Sequence, residues 1–202
     1  MKRSVPGSDA ASDESTLPVR LVVATLNVWT GSSTSKDDPG GAWPERRPAL
    51  QKIVQLCSAD IIGVQEAHPE ILAALDEALP THSRIKGCST DAGSDVCWTR
   101  EGTIYYRTRG LTLLEFGTEC AGCFPDKPNR RLFWGRFAAG ARTILFTTCH
   151  MPWQGSASEV LSGMSARFGC SHAVADALLT LSRPGEPAFC VGDFNESFGP
   201  PR

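Results

Sequence analysis

The sequence predicts one domain of mixed α/β (α+β) class, on three observations. Strand-length apolar runs alternate with helix-period segments in the first half of the chain, and the second half turns strand-rich. The chain has 202 residues, 41% of them hydrophobic, which is enough for one domain with a real core and too little for two. No internal repeat or long internal linker divides it.

The elements follow in order. Residues 1–18 are rich in Ser, Asp and Ala and lack an apolar core, so they are expected to form a disordered tail ahead of a domain over 19–202. Leu21 to Asn27 (LVVATLN) is an apolar, β-branched run, expected to be a buried strand. Thr30 to Pro44 is a loop of Gly, Ser, Asp and Pro. Glu45 to Ser58 carries Leu50, Ile53, Val54 and Cys57 at helical spacing, with Pro48 suited to its first turn. Asp60 to Gln65 is a second buried strand. Pro69 to Leu79 is a helix with Ile71, Leu72, Leu75 and Leu79 on one face. Thr81 to Arg100 is a long polar loop. Strands follow at Thr103 to Arg107, Leu111 to Phe116, Leu132 to Ala138 and Arg142 to His150. Glu159 to Leu181 is a helix, with a break expected near Gly169. Ala188 to Gly192 is a strand that delivers Asp193 onto a loop.

Charge and composition narrow the partners. The formal net charge is -2, from 20 Lys+Arg and 22 Asp+Glu, so the chain as a whole is no nucleic-acid magnet. No apolar run is long enough to span a bilayer, and the first residues do not read as a secretory signal. An intracellular protein of cytoplasm or nucleus, with reduced thiols, is therefore expected. Of eight cysteines, only Cys120 and Cys123 form a CxxC, and no second pair stands at zinc-like spacing. They read as a loop with two thiols, the alternative being a CxxC-based zinc or redox module.

Four strands end in a polar residue of catalytic type: Asn27, Glu66, His150, and Asp193 with Asn195. Strand ends are where a rigid scaffold presents side chains to a shared site. Glu66 is either a hard oxygen ligand for Mg²⁺ or a carboxylate already at the surface. Asn27 either completes a metal or phosphate shell or caps its strand. His150 either donates to a phosphoryl oxygen or leaving group, or is structural. In Gly192-Asp193-Phe194-Asn195 the two polar side chains either face one point, or make an Asx-turn.

These residues stand in the order Asn, Gln-Glu, His, Gly-Asp-Phe-Asn, within the stretches ATLNVW, ADIIGVQEA, EGTIYYR, TTCHMPW and VGDFNES. The chain resembles the endonuclease/exonuclease/phosphatase (DNase I-like) family from about Val19 to Ser197. The resemblance implies a four-layer αββα sandwich with the site at one edge. It implies that Glu66 is the principal Mg²⁺ ligand (Mn²⁺ being possible) with Asn27 helping to position metal and phosphate. Asp193 would orient or activate the attacking water, Asn195 would hold a phosphoryl oxygen, and His150 would stabilise the transition state or assist the leaving group. Arg131 would approach the substrate, with Arg130 an equal candidate on register. Arg167 matches a helix arginine of structural type, and Tyr105 and Tyr106 are core residues.

The activity implied is hydrolysis of a phosphate ester, as a phosphodiesterase, nuclease or phosphatase, on nucleic acid, phospholipid or a small phosphate. Selectivity would lie in the loops Gly31 to Trp43, Thr81 to Arg100 and Gly117 to Asn129, with Trp43 and Trp153 near the rim. Relatives of this kind carry one more motif, a Ser-Asp-His, whereas this sequence stops at Gly199-Pro200-Pro201-Arg202. The expectation is a fragment lacking the last strands, unstable alone; the alternative is a non-catalytic relative with a binding role.

Overall fold

Ile61–Gln65 (β2) is apolar up to its final residue, Gln65, and every residue of it is buried. It is an inner strand of the first sheet in the computed structural model, which describes residues 20–29, 42–86, 101–125, 127 and 130–196. The expected tail, most of the loop before the first helix, residues 87–100 with Cys88 and Cys97, and the C-terminal Gly199 to Arg202 lie outside the described residues.

The first sheet has the order β1-β2-β4-β3, built from β1 (Val23–Asn27), β2, β3 (His82–Arg84) and β4 (Thr103–Arg107). β1 and β2 are parallel, joined through α1 (Trp43–Cys57), and β4 runs antiparallel to β2 and β3. Helix α2 (Pro69–Ala78) begins with a proline, where the missing N–H costs nothing. The second sheet has the order β5-β6-β7-β8, from β5 (Thr112–Glu119), β6 (Leu132–Ala139), β7 (Arg142–His150) and β8 (Ala188–Asp193). β7 and β8 are parallel, and α3 (Ala157–Ser162) and α4 (Ala166–Leu181) connect them.

Three apolar layers stack these elements into α-β-β-α. Ile62, Val64 and Tyr105 on the outer face of the first sheet pack against Leu50, Val54, Leu72 and Leu75 of α1 and α2. Ile61 and Ile104 on its inner face meet Phe133, Phe137 and Phe146 of the second sheet. Cys149 and Met151 on the far side meet Cys170 and Val174 of α4. Each fully buried aromatic or aliphatic side chain contributes about 1.5–3 kcal/mol. Tyr105 and Tyr106 are core residues on opposite faces, as alternation requires: Tyr105 donates to Asp76 Oδ1 (2.7 Å), and Tyr106 packs on Phe137. Among the described residues no helix is long and apolar enough to cross a membrane.

Several expectations are corrected. β1 is not a buried strand: it stands at the end of the sheet order, and its residues are half-buried or exposed. The helix expected from Glu45 starts at Trp43, and Trp43 is in the core, not on a rim. Part of the loop expected from Thr81 is β3, and β5 runs on to Glu119. The long helix breaks at Gly163–Ser165 and not at Gly169, which lies inside α4.

Candidate active site

Two pairs of parallel strands set the site. In the first sheet Asn27 stands in register with Gln65, and Glu66 follows directly. In the second, His150 stands in register with Asp193. The two sheets are tied at this edge by Gln65, only 1% exposed, whose Nε2 donates to Thr25 Oγ1 (3.1 Å) on β1 and to Thr148 Oγ1 (2.8 Å) on β7. The sheets approach closely here because Gly63 has no side chain: a Cβ would lie 2.6 Å from Thr148 Oγ1. Gly192 does the same within the second sheet. Its φ is +153°, and a Cβ there would collide with the Cys149 carbonyl oxygen, so only glycine lets β8 carry Asp193 alongside His150.

The side chains converge. Asn27 Nδ2 donates to Glu66 Oε1 (2.9 Å) and to Asp193 Oδ2 (2.7 Å), while Asn27 Oδ1 accepts the Trp29 N–H (2.8 Å). His150 Nε2 stands 3.8 Å from the same Glu66 oxygen and 3.7 Å from the same Asp193 oxygen. Asn195 donates its backbone N–H to Asp193 Oδ1 (2.9 Å) and its side-chain amide to the Met151 carbonyl (2.8 Å). Glu66, Asn195 and Trp29 all take left-handed backbone conformations, with φ of 60°, 51° and 49°. Such strain costs about 1–3 kcal/mol per residue and marks places where aim matters more than local comfort.

Two further residues complete the surroundings of His150. Glu101 Oε2 lies 3.9 Å from His150 Nδ1 and accepts from Arg130 Nε (3.1 Å), whose terminal nitrogen also donates to the Met151 carbonyl (2.6 Å). The arginine beside Glu101 and His150 is thus Arg130, the equal candidate on register; Arg131 is its half-buried neighbour just before β6. Glu101 was missed altogether. Its signal was a carboxylate one glycine ahead of a buried strand: Gly102 lies against the Phe133 ring, where a Cβ would not fit, and this close approach seats Glu101 by the site. His150 is 2% exposed. Burial, helped by the Arg130 charge, holds its pKa below the ordinary histidine value, against the opposing pull of Glu66, Asp193 and Glu101. Arg167 stands apart, bridging Glu159 (3.1 Å) and Glu196 (2.9 Å), a structural role.

The endonuclease/exonuclease/phosphatase family model matches residues 24–201, a span that includes each of these strand-end residues. The chain belongs to that family. Among solved structures, a mannosyl-6-phosphatase from Bacteroides thetaiotaomicron VPI-5482 is 28% identical, with a TM-score of 0.65 over 86% of this chain and 64% of that one. An endonuclease/exonuclease/phosphatase family protein from Bacteroides thetaiotaomicron is 28% identical, with a TM-score of 0.64 over 86% of this chain and 62% of that one. A humanized D. rerio TDP2 is 16% identical, with a TM-score of 0.65 over 88% of this chain and 63% of that one, a likeness of fold. This chain therefore spans 62–64% of the length of those three structures. A sequence search of curated proteins matched none.

The family fold implies a divalent cation, and the residues fit one mode of holding it. Among the described residues no group of three or more His, Cys, Asp and Glu side chains could hold a metal ion as a cage. Mg²⁺ does not need one: it keeps several waters and takes one or two carboxylates plus substrate oxygens. Glu66 would offer one such carboxylate, with Asp193 beside it, and an oxygen of each lies within hydrogen-bond distance of Asn27 Nδ2. With Glu101 the cleft holds three carboxylates against one guanidinium, a charge balance that attracts a cation.

Proposed function

We propose that the protein hydrolyses phosphate esters with a bound divalent cation, Mg²⁺ or Mn²⁺. The observation that carries this reading is the convergence of Asn27, Glu66, His150 and Asp193, from two sheets, on one small volume. Glu66 would hold the cation, its carboxylate positioned by Asn27 Nδ2, and the cation when bound would supply Lewis-acid stabilisation of charge on the phosphoryl oxygens. Asp193 would orient a water and take its proton. Its Oδ1 accepts the Asn195 N–H and its Oδ2 accepts from Asn27 Nδ2, which together fix the carboxylate beside His150. His150, neutral and buried, would donate from Nε2 to a phosphoryl or leaving-group oxygen. Asn195 and Arg130 brace the Met151 carbonyl, which keeps the segment after His150 in place.

One relative at 28% identity is named a mannosyl-6-phosphatase, which makes a sugar phosphomonoester the first substrate to offer. Nucleic-acid and phospholipid phosphodiesters are the next arms of the same assay. The test is turnover of these substrates with added Mg²⁺ or Mn²⁺, beside Glu66→Ala and excess chelator. Turnover that falls at least about 10²–10³-fold in Glu66→Ala and vanishes with chelator is the expected result. Equal turnover in Glu66→Ala would sink the assignment.

A further inference from the structure

The CxxC lies outside the hydrolytic site, at the end of β5, and its geometry is that of a thiol pair held ready to close. The Cys123 N–H donates to the Cys120 carbonyl (3.1 Å), closing a four-residue turn. Gly122 sits at the third position with φ of +78° and open space around it, as a type II turn requires. Such a turn holds its end α carbons within about 7 Å, and disulfides span α carbons up to about 6.8 Å apart.

We propose that Cys120 and Cys123 form a reversible dithiol–disulfide site that exchanges with small disulfides such as oxidised glutathione. The two sulfurs have different work. Cys123 is exposed and Cys120 is half-buried, so Cys123 meets the incoming disulfide. Cys120 Sγ donates to the Ala173 carbonyl of α4 (3.3 Å), and burial pushes its thiol up to about 11. Cys170 Sγ, on α4, donates in turn to the Cys123 carbonyl (3.2 Å), which pins the turn to the helix from the other side. Zinc is a poor match, because no set of three or more ligand side chains among the described residues could hold an ion.

The exchange balances. The Cys123 thiolate attacks one sulfur of oxidised glutathione, forming a mixed disulfide and expelling one glutathione thiolate. Cys120 Sγ, giving its proton to water, then attacks the Cys123 sulfur and expels the second glutathione thiolate. The protein is oxidised by two electrons and the glutathione disulfide is reduced to two thiols. Cys120 loses its S–H in the process, so the bond to Ala173 on α4 is lost with it. None of this depends on the hydrolase reading.

The test is incubation of the chain, Cys120→Ser and Cys123→Ser with oxidised glutathione, then acid quench, alkylation and peptide mass analysis. In the unaltered chain the peptide with both cysteines is expected to lose two hydrogens and resist alkylation, and dithiothreitol restores it. Cys120→Ser is expected to stop at a glutathione adduct on Cys123, and Cys123→Ser to give neither product. Three results would overturn the proposal: a lasting adduct on Cys123 in the unaltered chain, a bridge from either cysteine to Cys170 instead, or free thiols throughout.

Discussion

A single amide nitrogen, Nδ2 of Asn27, sits between two carboxylate oxygens, at 2.9 Å and 2.7 Å. Two like charges this close repel, and an uncharged donor between them is the smallest group that relieves it. Asn27→Leu, measured by urea unfolding with chelator present, is therefore expected to lower stability by about 2 kcal/mol, and no loss would show the amide to be idle. His150 offers a second check at this scale. Its folded pKa is depressed, so as pH falls the unfolded chain takes up the proton first. Stability contributed by the neutral ring is complete above the ordinary value of 6.5 and declines below it, until the folded ring protonates too. In metal-free protein the melting midpoint should drop between about pH 7.5 and about pH 5.5, and His150→Gln should flatten that drop. An unchanged slope in His150→Gln would place the acid sensitivity in the carboxylates.

Elements show why part of the structure was legible and part was not. The apolar strands, Pro69 at the start of α2 and the order of strand-end residues were readable because each obeys a local rule of periodicity or capping, whereas Pro48, expected in a first turn, lies inside α1. β3 was not: His82, Ser83 and Arg84 carry no apolar alternation, and only pairing to β4 makes them a strand. The break in the long helix was misplaced because glycine is ambiguous. Gly169 has open space and is tolerated inside α4, whereas Gly163 takes a left-handed φ of 68° to end α3, and Ser165 then caps α4. Glu101 escaped because its role depends on contacts between segments far apart in sequence. Gly63 tests the sheet packing directly. Gly63→Ala would press a methyl between Thr148 and Val191, at an expected cost of about 1–3 kcal/mol, seen as a lower midpoint in chemical denaturation. A neutral result would mean that the sheets part easily.

At the scale of the whole molecule, Arg136 fastens the far end of the second sheet. It is buried and bonds Glu186 Oε1 (2.8 Å), before β8, and Glu115 Oε2 (2.6 Å), on β5. Glu186 is itself 2% exposed along its side chain, so Arg136→Leu strands a buried charge. The expected loss is about 3–5 kcal/mol, much of it recovered by pairing the change with Glu186→Leu, as unfolding of single and double variants would show. The sandwich also has a temporal aspect. β1 to β4 leave the ribosome before β6 to β8, so the inner face with Ile61, Gly63 and Gln65 waits uncovered while the rest is made. The strand that closes it, β8, brings Phe189 and Val191 to the core and Asp193 to Asn27 in the same stroke. A nascent chain therefore holds Glu66 long before it holds Asp193, and the cleft is assembled only once β8 has joined β7.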